Sequence, residues 1–276
     1  MNSSDSSRKK FHKSIFALII PIFIWILLHS TLRSKPTEKP IMISHRGAAS
    51  LAPENTLVSI REAISQGAQF IEVDIRRSAD GILSLMHDQT VNRTTNGRGR
   101  ISELSWEEVG QLDAGSSFSS EFKGEPVPSL DSVLELINKS PANLVLEVKQ
   151  PGLYPGIELQ IAEAIQKSNL NNRITVVSFD HDWLNSFNQT VPDVSLGHLY
   201  IFPYATRQIP ANRIVDVYWP SVLLDPTLVK RMKLQGHRVW VWTVNNIHLM
   251  RLLIWLGVDG ITSDRPEIWP EVVGTG

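Results

Sequence analysis

An α/β fold closing as a parallel (β/α)8 TIM barrel is predicted by three features of the 276-residue chain. Nine short apolar runs recur along it, helical patterns fall between many of them, and the 236 residues from Ile41 onward come close to the ~250 that such a barrel needs. The runs are Ile41–Ser44, Phe70–Ile75, Ile82–Met86, Leu144–Val148, Ile174–Ser178, Val194–Leu199, Ile214–Trp219, Val239–Val244 and Gly260–Thr262. Helical patterns cover Thr56–Gln66, Leu130–Lys139, Gly156–Ser168 and Pro226–Gln235. Strands separated by helices pair in parallel, because a helix crossover returns the chain to the same end of the sheet. Nine runs exceed eight strands by one, so one run lies outside the barrel, and periodicity does not say which.

Residues 88–128 form a loop-rich insertion, with Asn96-Gly97, Gly99, Gly115, Gly124 and one short helical stretch near Ser105–Leu112. Connections of that length in a compact domain are usually functional. Ahead of the barrel lie a basic tail over 1–14, with Arg8, Lys9, Lys10 and Lys13, an apolar stretch over 15–32, and a polar Pro-containing linker over 33–40. As a helix the stretch would reach about 27 Å, nearly the hydrocarbon thickness. It therefore reads as an uncleaved transmembrane signal-anchor, placing the chain as a single-pass membrane protein with the barrel, residues 41–276, on the extracytoplasmic side. A cleaved signal and secretion is the alternative.

Residues 1–40 carry seven basic and two acidic side chains, leaving 20 basic and 26 acidic beyond. An acidic body argues against a nucleic-acid groove, which is built from clustered Lys and Arg. With no cysteine in the chain, any metal must be held by oxygen or imidazole. Oligomeric state is not readable from these features.

Barrel enzymes place their chemistry at the carboxyl ends of strands. There the first run ends in Ser44-His45-Arg46-Gly47, the second holds Glu72 and Asp74, the third ends in His87-Asp88, and the fourth runs into Glu147 and Lys149. Residues two apart on a strand share a face, so Glu72 joins Asp74 and Glu147 joins Lys149. Three converging carboxylates make a hard-oxygen site for one divalent cation, Mg2+ or Ca2+. The alternative is an ionic network of the same acids with Arg46 and Lys149, whose desolvation is repaid only by very good geometry. His45 and His87 end different strands and have the chemistry of a general acid and base pair. Arg46 offers a fork of donors for phosphate oxygens, and Lys149 adds a point charge. His181, His198 and the remaining histidines read as ordinary, and Asp180-His181-Asp182 as a helix cap.

Taken in order, His45-Arg46-Gly47, Pro53-Glu54-Asn55-Thr56, Glu72-Val73-Asp74, Asp80-Gly81, His87-Asp88, Arg93-Thr94-Thr95, Gly97, Gly99, Leu146-Glu147-Val148-Lys149, Trp242-Thr243-Val244-Asn245 and Asp259-Gly260-Ile261 with Pro266 resemble the glycerophosphodiester phosphodiesterase family. The likeness runs from about residue 41 to 270, with Ser78 and Ser263 standing where the family commonly has Thr. It implies a TIM barrel, a divalent metal at Glu72, Asp74 and Glu147, catalytic His45 and His87, and phosphate binding by Arg46 and Lys149. Residues 88–128 would be the family's insertion. Glu54 and Trp242 are candidates for the substrate pocket; Glu54 equally reads as part of a helix start, and Trp242 as barrel filling.

The expected activity is metal-dependent hydrolysis of glycerophosphodiesters, of the glycerophosphocholine type, to an alcohol and glycerol 3-phosphate. The resemblance also allows the glycerol 2-hydroxyl to attack first and give a cyclic phosphate. One alternative is a lysophospholipase D acting on lysophospholipids, for which the apolar stretch Leu199–Tyr204 is a docking candidate or simply a buried loop. Another, of a different class, is a membrane-anchored protein that binds phosphodiesters without cleaving them.

Overall fold

The computed structural model describes Trp25, Leu27, Leu28, Ser30, Thr31 and residues 39–202 and 209–274. All nine apolar runs are strands: β1 (Ile41–Ser44), β2 (Phe70–Arg77), β3 (Leu83–Leu85), β4 (Asn143–Val148), β5 (Ile174–Ser178), β6 (Ser195–Tyr200), β7 (Ile214–Tyr218), β8 (Arg238–Trp242) and β9 (Gly260–Ser263). Every neighbouring pair among β1, β2 and β4 to β9 is parallel, and pairing of β1 with both β9 and β2 closes the barrel. The run outside the barrel is the third, β3, which lies antiparallel on the far end of β2, Ile75 opposite Leu85, beyond the point where β1 stops. The strand outside the barrel thus turns the chain back and delivers His87 to the mouth.

Helices fill the crossovers as their caps dictate. The helix α1 (Leu57–Ser65) begins where the Thr56 hydroxyl accepts the Ser59 amide at 3.2 Å. The next, α2 (Trp106–Gly110), sits in the insertion behind a Ser105/Glu108 capping box. Then come α3 (Leu130–Asn138), α4 (Ile157–Ser168) and α5 (His181–Thr190), the last capped by Asp180, which accepts the Trp183 amide at 2.9 Å. After β7 two short helices, α6 (Pro220–Leu224) and α7 (Leu228–Leu234), replace the single one expected, and α8 (Ile247–Trp255) and α9 (Trp269–Val273) complete the ring.

The barrel interior is filled by Ile43, Val145, Val177, Leu199, Ile214 and Trp240, while the larger apolar layers lie between strands and helices. Trp240 fits because its neighbour on β9 is Gly260: a Cβ there would stand 2.6 Å from the indole. The insertion has its own small core of Met86, Val91, Ile101, Val109, Ala114 and Val127. It is clamped to α1 by Glu125, which accepts the Val58 amide at 3.2 Å.

The membrane placement needs correcting. Among the described residues no helix is long and apolar enough to cross a membrane, so the expected single-pass arrangement does not stand. Within the stretch 15–32, the described Trp25 turns to the barrel. Its indole donates to the Leu223 carbonyl at 2.9 Å and its ring packs against the apolar layer around α6 to α8. Leu27 and Leu28 are exposed. The tail 1–14, most of 15–32, linker residues 33–38, and Pro203 and Tyr204 of the Leu199–Tyr204 stretch lie outside the described residues.

Candidate active site

Glu72 and Asp74 on β2 and Glu147 on β4 are all buried, and each offers a carboxylate oxygen within 4.8 Å of the others'. The register puts Asp74 directly beside Glu147, with Glu72 one inward position below. Burial first, then Asp74 and Glu147, push Glu72 well above the usual carboxylate range; burial, with Asp74 adding and Lys149 opposing, raises Glu147. Asp74 goes the other way, because Lys149 and Arg46 outweigh its burial. Glu72 Oε1 is buried with no hydrogen-bond partner. An orphaned carboxylate oxygen facing two more acids is a donor set that fits a hard divalent cation, so the acidic trio can bind a divalent metal.

Two cations border the trio. Lys149 Nζ stands 2.6 Å from Glu147 Oε1 and 3.0 Å from Asp74 Oδ1. Arg46 follows β1 in a turn tied down on every side: the Ser44 hydroxyl donates to the Gly47 carbonyl at 2.7 Å, and the Arg46 amide donates to Glu72 Oε2 at 2.9 Å. The Arg46 carbonyl in turn accepts the Asn55 amide and the Ser59 hydroxyl. Arg46 and Asn55 are held at φ of 52° and 58°, a left-handed conformation costing on the order of 1–3 kcal/mol for a side chain like that of Arg46. Gly47 follows at φ 84°, where a Cβ would collide with the backbone of Ser59. The conformation aims the Arg46 guanidinium at Asp74 Oδ2, 3.2 Å from Nε, while Asn55 donates to that oxygen at 2.7 Å and accepts the Asp74 amide at 3.0 Å.

Glu54 lies behind this arrangement. It accepts from Arg46 at 2.9 Å and from both terminal nitrogens of Arg93 at 2.8 Å, and these bonds hold it below the usual range despite its burial. Arg93, within the insertion, also grips Asp88 at 2.8 Å. These bonds fix the Glu54 carboxylate against Arg46, and Glu54 also lines a small cavity beside His87.

Each histidine has a carboxylate behind it. His45 Nδ1 is 2.6 Å from Asp264 Oδ1, leaving Nε2 directed towards Glu72 at 4.0 Å. His87 Nδ1 is 2.7 Å from Asp88 Oδ1, and the His87 carbonyl accepts from buried Arg76 at 2.8 and 3.0 Å. Burial chiefly, with Lys149 and Arg46 adding and Asp74 opposing, holds His87 below the ordinary histidine value. Asp264 is itself fixed by Asn245, which donates to it at 2.6 Å. Asp264 is not among the residues the sequence singles out, because the last apolar run closes at Thr262; the polar pair Ser263-Asp264 at that strand's carboxyl end is the signal for it.

Trp242 stands at the barrel mouth, edge-on to Phe179 at 5.8 Å between centroids and tilted against Tyr218 at 5.3 Å, while also touching the interior cluster. A cleft of about 1000 Å³ opens from His87, Glu147 and Lys149 and runs past Phe179 to Tyr200 and His198. Asp216 on β7 is a fourth buried carboxyl, driven well above its usual range by burial and then by Glu147.

A parallel barrel with a metal-competent acidic trio, paired cations and two carboxylate-backed histidines at the carboxyl ends of its strands defines a barrel hydrolase of phosphate esters. Residues 45–268 match the model of the glycerophosphoryl diester phosphodiesterase family, and the chain belongs to that family, whose members are phosphoric diester hydrolases. It is 36% identical over 244 residues to a glycerophosphodiester phosphodiesterase of Caldanaerobacter subterraneus, covering 86% of this chain and 99% of that one. It is also 36% identical over 253 residues to the human glycerophosphodiester phosphodiesterase 1, covering 76% and 73%. Among solved structures, the Oleispira antarctica phosphodiesterase in complex with sn-glycerol-3-phosphate superposes with a TM-score of 0.76 at 29% identity, covering 86% of this chain and 97% of that one.

Proposed function

We propose that the protein hydrolyses glycerophosphodiesters to an alcohol and glycerol 3-phosphate, using one Mg2+ or Ca2+ ion held by Glu72, Asp74 and Glu147. The observation that carries this reading is the convergence of three carboxylates within 4.8 Å beside Arg46, Lys149 and two oriented histidines. The glycerol 3-phosphate bound by the Oleispira relative supports glycerol 3-phosphate as the product. A bound divalent ion supplies the positive charge that acidifies an attacking hydroxyl and draws electrons from phosphorus.

The chain's own residues do the rest. Arg46, already aimed by Glu54 and Asp74, presents donors to the phosphoryl oxygens, and Lys149 adds charge as negative charge grows there. One histidine takes the proton of the attacking hydroxyl and the other gives one to the departing alcohol. Asp264 and Asp88 fix the tautomers, since each accepts from Nδ1–H and leaves Nε2 for the reaction. The lysophospholipid alternative finds no observation in its favour, and the paired histidines speak against a non-catalytic binder.

The test is release of glycerol 3-phosphate from glycerophosphodiesters by metal-stripped protein, before and after restoring Mg2+ or Ca2+, with His87→Ala as control. Release that requires metal and His87 is expected. A folded, metal-loaded protein that frees no glycerol 3-phosphate overturns the reading.

A further inference from the structure

The cleft has an arm that the chemistry above does not use. Beyond Glu147 and Lys149 it continues over the ends of β5 and β6 to the first turn of α5, where His181, His198, Tyr200 and Asp182 border it. His198 is 1% exposed, yet neither of its ring nitrogens has a hydrogen-bond partner. A buried polar group left unpaired is costly, so such groups persist mainly where something else completes them.

The neighbours define what would complete it. Burial first, then the nearby His181, Arg213 and His237, hold the His198 imidazole down at about 4, so near neutral pH it is uncharged, with one N–H donor and one acceptor nitrogen. His181 packs close by, edge-on to His198 with centroids 5.1 Å apart and tilted against Tyr200 at 4.3 Å. Its Nε2 lies 3.0 Å from the Leu199 carbonyl, so that nitrogen carries the proton and Nδ1 is left as an acceptor. A donor beside two acceptors matches hydroxyl groups, each of which gives and takes a hydrogen bond. A trimethylammonium group does neither and would leave both His198 nitrogens orphaned.

We propose that this arm is the subsite for the diester's second alcohol, and that His198 selects a hydroxyl-rich alcohol of the glycerol or inositol class over a quaternary ammonium alcohol. The proposal rests on the phosphodiesterase reading for the position of the phosphate. The cleft then leads from the phosphate-binding Lys149 to His198 without a break. Asp180 and Asp182 at the arm's border and the rings of Phe179 and Tyr200 along it would favour a cation, and the two His198 nitrogens are set against them.

Glycerol 3-phosphate release is to be compared for glycerophosphoinositol, glycerophosphoglycerol and glycerophosphocholine. The two hydroxylated diesters should exceed the choline diester in kcat/KM by about tenfold, the equivalent of one retained hydrogen bond. His198→Leu should collapse that ratio, and His198→Gln, which keeps a donor and an acceptor, should restore part of it. Equal or greater turnover of the choline diester, or an unchanged ratio in folded His198→Leu, overturns the proposal. If none of the three is cleaved, the phosphodiesterase reading fails instead. Calorimetric binding of the same diesters to His87→Ala then reads the arm by itself: tighter, His198-dependent binding of the inositol diester supports it, and equal binding of all three overturns it.

Discussion

The two halves of the barrel treat buried polar groups in opposite ways. On β1, β2 and β4 nearly every one is tied to a partner: Arg46 to Asp74 and Glu54, Asn55 to Asp74 twice, Lys149 to Asp74 and Glu147, His45 to Asp264. In that half the buried atoms without a hydrogen bond, Arg46 Nε, Asp74 Oδ1 and Glu147 Oε1, lie in ion pairs, Glu72 Oε1 being the exception. On β6 and β7 and in the loops beside them, His198, Asp216, Arg213 and His237 each keep a buried atom with neither a hydrogen bond nor an ion pair. The first half is a pre-assembled reaction centre, in which donors and charges are fixed before substrate arrives. The second half leaves buried polar atoms unpaired, and of these His198 lines the cleft.

The sharpest way to break that contrast is at the tied half. His87→Ala should lower kcat by on the order of 10²–10⁴ while the protein stays folded, because proton transfer is lost and only binding and charge stabilisation remain. Steady-state kinetics on the metal-loaded variant measure it, and near wild-type turnover would strip His87 of the assignment. Next in size is Glu72→Gln, which removes one of the three carboxylates. It should weaken divalent-cation affinity by more than the roughly 10–100-fold that loss of an outer hydrogen-bond partner costs. Titration calorimetry with Mg2+ and Ca2+ reads this directly, and unchanged affinity would leave Glu72 as part of an ionic network alone.

How much of this contrast is legible in the sequence differs between the halves for a physical reason. The tied half announces itself, because charged residues closing apolar runs are costly unless paired or working, as Glu72, Asp74, Glu147 and Lys149 show. The closed barrel follows from the spacing of the runs, while the odd strand β3 is invisible, since a three-residue pairing on the end of β2 has the same apolar pattern as a barrel strand. Orientation at the site is hidden too. That Glu54 faces Arg46 and Arg93 depends on left-handed turns at Arg46 and Asn55, which no periodicity encodes. His198 is hidden most thoroughly: it alternates like any strand residue, and only the cleft beside it shows that its nitrogens lack partners.

The untied half is sharpened by acid. With an ordinary value of 6.5 and a folded value of about 4, His198 takes up its proton in the unfolded chain first as pH falls. The unfolded state then binds more protons than the native one, so stability drops between about pH 6.5 and 4 and the contribution is complete below that window. His198→Leu abolishes this component, so the stability curves of wild type and variant should converge or cross on acidification. Thermal unfolding at pH 7, 5.5 and 4 shows it, and curves that stay parallel would mean that His198 takes up its proton at the same pH in the fold as in the unfolded chain.

The smallest effect concerns Asp216, and it runs against the usual direction for a buried substitution. Burial, with Glu147 adding, raises its value, so the folded protein holds this proton to a higher pH than the unfolded chain, which ionises the group near 4. A carboxyl whose folded value is raised costs stability at every pH above its unfolded value, and the full cost is present at pH 8 if the folded value lies below it. Asn has nearly the shape of a protonated Asp and is uncharged in both states. Asp216→Asn should accordingly be at least as stable as wild type at pH 8, with the difference shrinking as pH falls towards 4. Asp74→Asn provides the contrast, since it takes one of two carboxylate partners from Arg46 and one from Lys149 and should destabilise, though by less than the roughly 3–5 kcal/mol that leaving a buried charge unpaired costs. Denaturant midpoints at pH 8 and pH 5 separate the two. A clear loss of stability in Asp216→Asn at pH 8 would show that Asp216 is ionised and paired in solution, and the two halves of the barrel would then follow one rule.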